Sequence, residues 1–113
     1  MKIIHYTDLA PSPVTMEGAE RTTIRWLIAK EDGAPTFAMR LFEIETGGHT
    51  PVHRHPREHE VFLLEGDAAV VRGGQEVPVG PGTAVYVPSG EEHGFVNKGE
   101  TPVRMLCMVP IGD

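Results

Sequence analysis

From Arg21 onward the chain alternates. Thr22, Ile24, Trp26 and Ile28 interleave with Thr23, Arg25 and Leu27. A period of two in β-branched and aromatic residues predicts a strand. Glu31 to Pro35 reads as a turn, and Phe37 to Ile44 as a second strand, with Gly47 and Gly48 ending it before a histidine-rich loop. Further strands are predicted at Val61–Leu64, Ala68–Val71, Glu76–Val79, Ala84–Val87, His93–Asn97 and Val103–Val109, with hairpin signals at Arg72–Gln75 and Lys98–Glu100. The first twenty residues have no such period, because Pro11, Pro13 and Gly18 break it. They read as an arm lying over the domain, with one short strand near Ile3 and Ile4. No segment supports a helix longer than a turn or two. Short strands at intervals of about 8–12 residues indicate a sandwich or barrel. The expected organisation is an N-terminal arm over residues 1–20, partly β and able to reach a dimer interface, and one all-β domain over residues 21–113.

Composition agrees with this pattern and removes several functions. Thirteen glycines and ten prolines make about a fifth of the 113 residues, too much punctuation for long helices. A net charge of -6 argues against nucleic acid, which needs a basic surface. The single cysteine, Cys107, can form neither an internal disulfide nor a thiolate zinc site. No apolar run approaches the roughly 20 residues of a membrane span, and the first residues lack the apolar stretch of a signal peptide. The expected location is the cytoplasm. A small all-β domain exposes sheet edges that need covering, so a homodimer is expected.

The chemistry lies in the histidines. Four of the six, His49, His53, His55 and His59, fall within eleven positions. His53 and His55 are two apart, and on an extended backbone they project to one face. His59 follows a bend at Pro56, and His93 joins them only through the fold. Imidazoles converging in this way make a divalent transition-metal site. His5 and His49 read as isolated surface or hydrogen-bonded residues.

Two segments resemble the paired motifs of the cupin superfamily. Gly47 precedes His53-Arg54-His55, with His59 and Gly66 following, and Gly82, Pro88, Gly90, His93 and Asn97 fit the second motif at every position. The resemblance runs from about Arg21 to Pro110 and implies a cupin-type jelly-roll β-barrel. In the family's first motif a glutamate stands where this chain has His59. Six residues separate His59 from Gly66 and five separate Glu60 from it, so the resemblance implies a four-histidine set of His53, His55, His59 and His93. Glu60 stays as the alternative ligand or as a residue supporting the ligands. The chain looks like the subgroup of small bacterial single-domain cupins, some of which hold manganese in an all-histidine site. Manganese is therefore the expected metal, with iron, nickel, copper and zinc as chemical alternatives.

Neutral imidazoles leave the full charge of the ion in place, which favours an anionic ligand such as an enolate or carboxylate. Four protein ligands on an octahedral ion leave two positions open. On the last strand, Val103, Met105, Cys107 and Val109 form the uncharged face expected inside the barrel. Cys107 is expected as a small buried apolar residue, with the sharper reading placing its sulfur at the metal pocket. Arg40, in an otherwise apolar strand, reads either as a group for a substrate carboxylate or as an outer-face residue. Phe37, Met39, Tyr86 and Phe95 are candidates to shape the pocket, whereas Trp26 carries no signal. The expected function is a metal-dependent, oxygenase-type enzyme acting on a small enolic, dicarbonyl or carboxylate compound. The competing expectation is a metal-bound module that binds or senses a small ligand without catalysis.

Overall fold

In the computed structural model, which describes residues 1–112, nine strands form one curled sheet. They are β1 (Ser12–Pro13), β2 (Glu20–Ile28), β3 (Phe37–His49), β4 (His59–Glu65), β5 (Ala68–Arg72), β6 (Gln75–Val79), β7 (Ala84–Val87), β8 (Gly94–Asn97) and β9 (Val103–Pro110). The strand order is β6-β5-β8-β3-β9-β4-β7, with β2 paired to β3 and β1 paired to β2. All pairs are antiparallel. The only helical pieces among the described residues are two single 3₁₀ turns, Tyr6–Asp8 and Lys30–Asp32. The all-β, single-domain jelly-roll expectation therefore holds. No helix is long and apolar enough to cross a membrane among the described residues.

The core follows from the two-residue period. On β9, Val103, Met105, Cys107 and Val109 are buried while Arg104, Leu106 and Met108 face outward. Val103, Met105 and Cys107 meet Ile44 from β3, Val61 and Leu63 from β4, Ala68 and Val70 from β5, and Phe95 from β8. Burying side chains of this kind contributes roughly 1.5–3 kcal/mol each, which is the main favourable term for a domain this small.

Two expectations about the strands are corrected. Strand β3 does not end at Gly47-Gly48 but bends there and continues to His49. Gly47 has φ +81°, and a Cβ on Gly48 would meet Glu20 O at 2.7 Å and Glu45 O at 2.9 Å. The bend carries β3 from its pairing with β9 (Phe37–Ile44) to its pairing with β8 (His49 opposite Val96). The arm's strand lies at Ser12–Pro13, opposite Ile24 and Thr23, and Ile3 and Ile4 lie in no strand. Instead the arm packs on the outer face of β2 and β9. Arg25 Nε donates to Leu9 O at 3.0 Å, and the guanidinium groups of Arg25 and Arg104 lie 5.4 and 5.8 Å from the Tyr6 ring. Between the two arginines, Glu43 accepts from Arg104 Nε at 2.8 Å and from Arg25 Nη1.

Gly66 ends β4 at the turn into β5. It has φ +86°, and a Cβ there would meet Pro102 O at 2.5 Å and Val103 Cα at 2.9 Å. Both obstacles are backbone, so no rotamer change relieves them. Gly66→Ala is expected to destabilise the protein by at least about 2 kcal/mol. A chemical-denaturation curve showing a loss under about 0.5 kcal/mol would contradict this.

Candidate metal centre

The two histidine segments come together through the main chain. His53 N–H donates to His93 O at 3.0 Å and His93 N–H donates to His53 O at 2.9 Å, an antiparallel bridge outside the named strands. Gly90 N–H reaches His55 O at 2.9 Å, and Ser89 Oγ donates to Pro56 O. Thr50 ties the other side, donating its N–H to Phe95 O and accepting the Phe95 N–H on Oγ1, each at 2.9 Å. The loop before β4 and the turn before β8 are thus stitched into one platform.

Four imidazoles face one another on that platform. Ring centroids of neighbouring pairs lie between 4.2 Å (His55–His59) and 5.2 Å (His55–His93, His59–His93). His53, His55 and His93 present ring nitrogens that all lie within 4.8 Å of one another, a group able to hold a metal ion. His59 comes from the start of β4 and brings its Nε2 into contact with His55 Nε2. His53 Nδ1 donates to Pro51 O at 3.0 Å and His93 Nδ1 to Glu91 O at 2.9 Å. A carbonyl only accepts, so both rings are protonated at Nδ1 and turn an Nε2 lone pair inward. This is the arrangement of metal-binding histidines. The donor set fits a divalent transition metal.

Three of these rings, His55, His59 and His93, are held toward the neutral form. Burial lowers His59 to about 3, helped by the Arg40 charge and by the other three imidazoles. Burial also lowers His55, with His93 and His53 adding to it. Burial lowers His93, against an opposing hydrogen bond to the Glu91 backbone. Behind His59 lie two further side chains. Arg40 Nη2 is 3.1 Å from His59 Nδ1, Cys107 Sγ is 3.0 Å from the same atom, and Arg40 Nη2 and Cys107 Sγ are themselves 3.0 Å apart. Burial pushes the Cys107 thiol up, while the Arg40 charge acts against it.

The remaining candidates separate clearly. Arg40 is on the inner face beside His59, so its outer-face reading fails. Cys107 is buried, and its sulfur also touches the cluster, which favours the sharper reading. Glu60 follows buried His59 on β4 and takes the opposite face, opposite Tyr86 and Met108. A hydrogen bond with Glu58 raises its carboxyl. Phe95 and Met105 belong to the core. Tyr86 is 62% exposed and Phe37 51% exposed, so neither closes over the histidines. His5 stands apart and caps the first 3₁₀ turn. Sequence reasoning missed Trp26, which lies opposite Arg40 in the β2–β3 register and stacks its ring 5.4 Å from the guanidinium. The register of the β2–β3 pair, read from the two alternations, was the available signal.

Strands β6 and β7 are the two ends of the strand order and do not pair. Between them opens a cleft of about 430 Å³ lined by Val70, Val77, Val79, Val85 and Val87, with His93 and Glu91 at its wall. Arg72, Thr83 and Tyr86 also line it, and of the four histidines it touches His93.

The cupin domain family matches residues 40–109, more than half of the chain. The chain is a cupin. This cupin is similar to the polyketide cyclase RemF of Streptomyces resistomycificus, with 42% identity and a TM-score of 0.92 over 97% of the chain and 79% of that one. It is 26% identical to an oxalate-binding protein of Thermotoga maritima, over 95% of the chain and 92% of that protein. It is 30% identical to a 1-methylthio-D-xylulose 5-phosphate methylsulfurylase of Rhodospirillum rubrum, over 79% of the chain. The cupin spans only 56% of the length of that last relative.

The lowered histidines have a measurable consequence. An unfolded histidine titrates near 6.5 and His59 in the fold near 3, so between these values the unfolded chain binds more protons. Stability of the metal-free protein is therefore full above the upper value and falls as pH drops through the window. His59→Gln removes one of them. Denaturant midpoints compared at pH 7 and pH 4.5 are expected to show a smaller acid loss in the variant, and an equal loss would contradict the assignment.

Proposed function

We propose that this cupin is a metal-dependent enzyme acting on a small enolic or dicarbonyl compound, with manganese held by His53, His55, His59 and His93. The observation that carries this reading is a convergent, all-nitrogen donor set with no carboxylate in it, one member of which, His93, also lines the cleft between β6 and β7. Bound there, a divalent ion supplies Lewis-acid polarisation of a substrate oxygen. The protein's part is placement. Two imidazoles are oriented by carbonyls, and burial holds His55, His59 and His93 toward the neutral form. With no carboxylate among the ligands, the ion keeps its charge for an anionic ligand, which suits an enolate or carboxylate better than a neutral compound.

Oxygenase-type chemistry and the ring closure implied by the cyclase similarity both begin from an enolate. The 42% identity to a polyketide cyclase favours closure of a poly-β-carbonyl compound over oxygen insertion. Similarity to an oxalate-binding protein supports a second reading, a metal-bound module that holds a small carboxylate without turning it over.

Manganese titration is expected to saturate at one ion per chain. His53→Ala and His93→Ala should each weaken binding by more than about 100-fold, since even supporting partners of a metal ligand cost 10–100-fold. Full stoichiometry and affinity in either variant would overturn the site. With the loaded protein and a panel of diketones and catechols, substrate loss without dioxygen uptake supports ring closure. Uptake supports oxygenation, and tight binding without loss supports the second reading.

We also infer a homodimer. The outer face of β4, β7 and β9 carries Phe62, Leu64 and Tyr86, exposed at 40%, 39% and 62%, beside partly exposed Leu106 and Met108. Light scattering behind size exclusion should give twice the chain mass of 12.3 kDa, and a stable monomer would refute this.

A further inference from the structure

His59 is held differently from its neighbours. His53 and His93 are fixed by main-chain carbonyls, whereas His59 Nδ1 faces only side chains, Arg40 Nη2 at 3.1 Å and Cys107 Sγ at 3.0 Å. A guanidinium has N–H donors and no acceptor. Against Arg40, therefore, Nδ1 must accept, and the single proton of the neutral ring belongs on Nε2, the atom that meets His55 Nε2. A nitrogen that carries a proton has no lone pair for a metal. When His59 does offer Nε2 as a ligand, its proton moves to Nδ1 and faces Arg40 donor to donor. Only the Cys107 sulfur is then in place to accept it.

Arg40 is built into this position. It pairs with Trp26 on β2 and with Cys107 on β9, and its guanidinium lies 5.4 Å from the Trp26 ring and 5.1 Å from the Phe42 ring. Among the described residues no carboxylate forms an ion pair with it, and its buried Nε has no partner. Nothing anionic draws it away from His59.

We propose that Arg40 and Cys107 are positioning residues that set the tautomer of His59 in opposite senses. Arg40 holds His59 out of the ligand set and Cys107 admits it, so that His53, His55 and His93 form the standing site and His59 is its conditional fourth member. This rests on the metal reading above and adds a control to it. The ring stays neutral throughout, and only the position of its proton changes.

Two measurements test it. In the metal-free protein, long-range ¹⁵N–¹H correlation spectra should show His59 protonated at Nε2. Arg40→Met should move that proton to Nδ1, and Arg40→Lys, which keeps only donors, should preserve the original tautomer. In cobalt(II) titrations, Arg40→Met should bind about 10-fold tighter and Cys107→Ala about 10-fold weaker than the unmodified protein. A purely structural role for the pair predicts that both variants weaken. His59 protonated at Nδ1 in the unmodified metal-free protein, or the same direction of change in both variants, overturns the inference and leaves the metal site standing. No cobalt(II) binding by the unmodified protein, with His59 protonated at Nε2, overturns the metal reading and with it the ligand role given to His59.

Discussion

The reciprocal pair of hydrogen bonds between the backbones of His53 and His93 is the constraint on which the site depends. These residues are 40 positions apart, and neither lies in a named strand. The pair places both Cα atoms at ladder distance, about 5.5 Å, and so brings two imidazoles to one side of the bridge without side-chain help. The Gly90 and Thr50 hydrogen bonds extend that ladder in both directions. Each ring is then turned by a carbonyl two residues before it, Pro51 for His53 and Glu91 for His93. Position comes from the ladder, and orientation comes from the local turn.

Around that platform the charges are unbalanced by design of the sequence. The histidines gather without a carboxylate, and the one guanidinium nearby, Arg40, forms no ion pair among the described residues. Burial first, and the half-buried Arg40 cation second, disfavour positive charge on His59 and push it well down. The same surroundings oppose a metal ion unless its binding is strong or an anion accompanies it. With no carboxylate among the histidines, an accompanying anion would be the natural partner of any cation bound there.

Much of this was legible from alternation and spacing. The inner face of β9 was read correctly because its polar and apolar positions alternate without a break. The two motif segments indicated which histidines meet, although their separation in the chain hides the bridge that joins them. Other features left no local mark. Gly47 and Gly48 looked like the end of a strand because a bend and an end use the same residue. Arg40 was ambiguous because a cation in an apolar strand suits either face, and only the register with Trp26 and Cys107 decides. Pro51 O and Glu91 O act through backbone, which no residue type advertises. Tyr86 lies along the cleft between β6 and β7 yet is mostly exposed, because its neighbours Val85 and Val87 take the inner face.

Three neighbouring strands show how a small barrel accommodates a polar centre. On β3 the inner face runs Ala38, Arg40, Phe42, Ile44, on β4 His59, Val61, Leu63, and on β9 Val109, Cys107, Met105, Val103. Cys107 lies opposite both Arg40 and Val61, so the three polar members, Arg40, His59 and Cys107, gather toward one end. The residues buried to under 2% exposure, Ile44, Leu63, Met105 and Val103, gather at the other. Close packing at the apolar end fixes the register of all three strands, because slipping by one residue would turn every inner side chain outward. That register in turn sets the distances among Arg40, Cys107 and His59. The burial cost of the polar end is therefore offset by the apolar end of the same strands, and the geometry at His59 is inherited from packing two and four residues away.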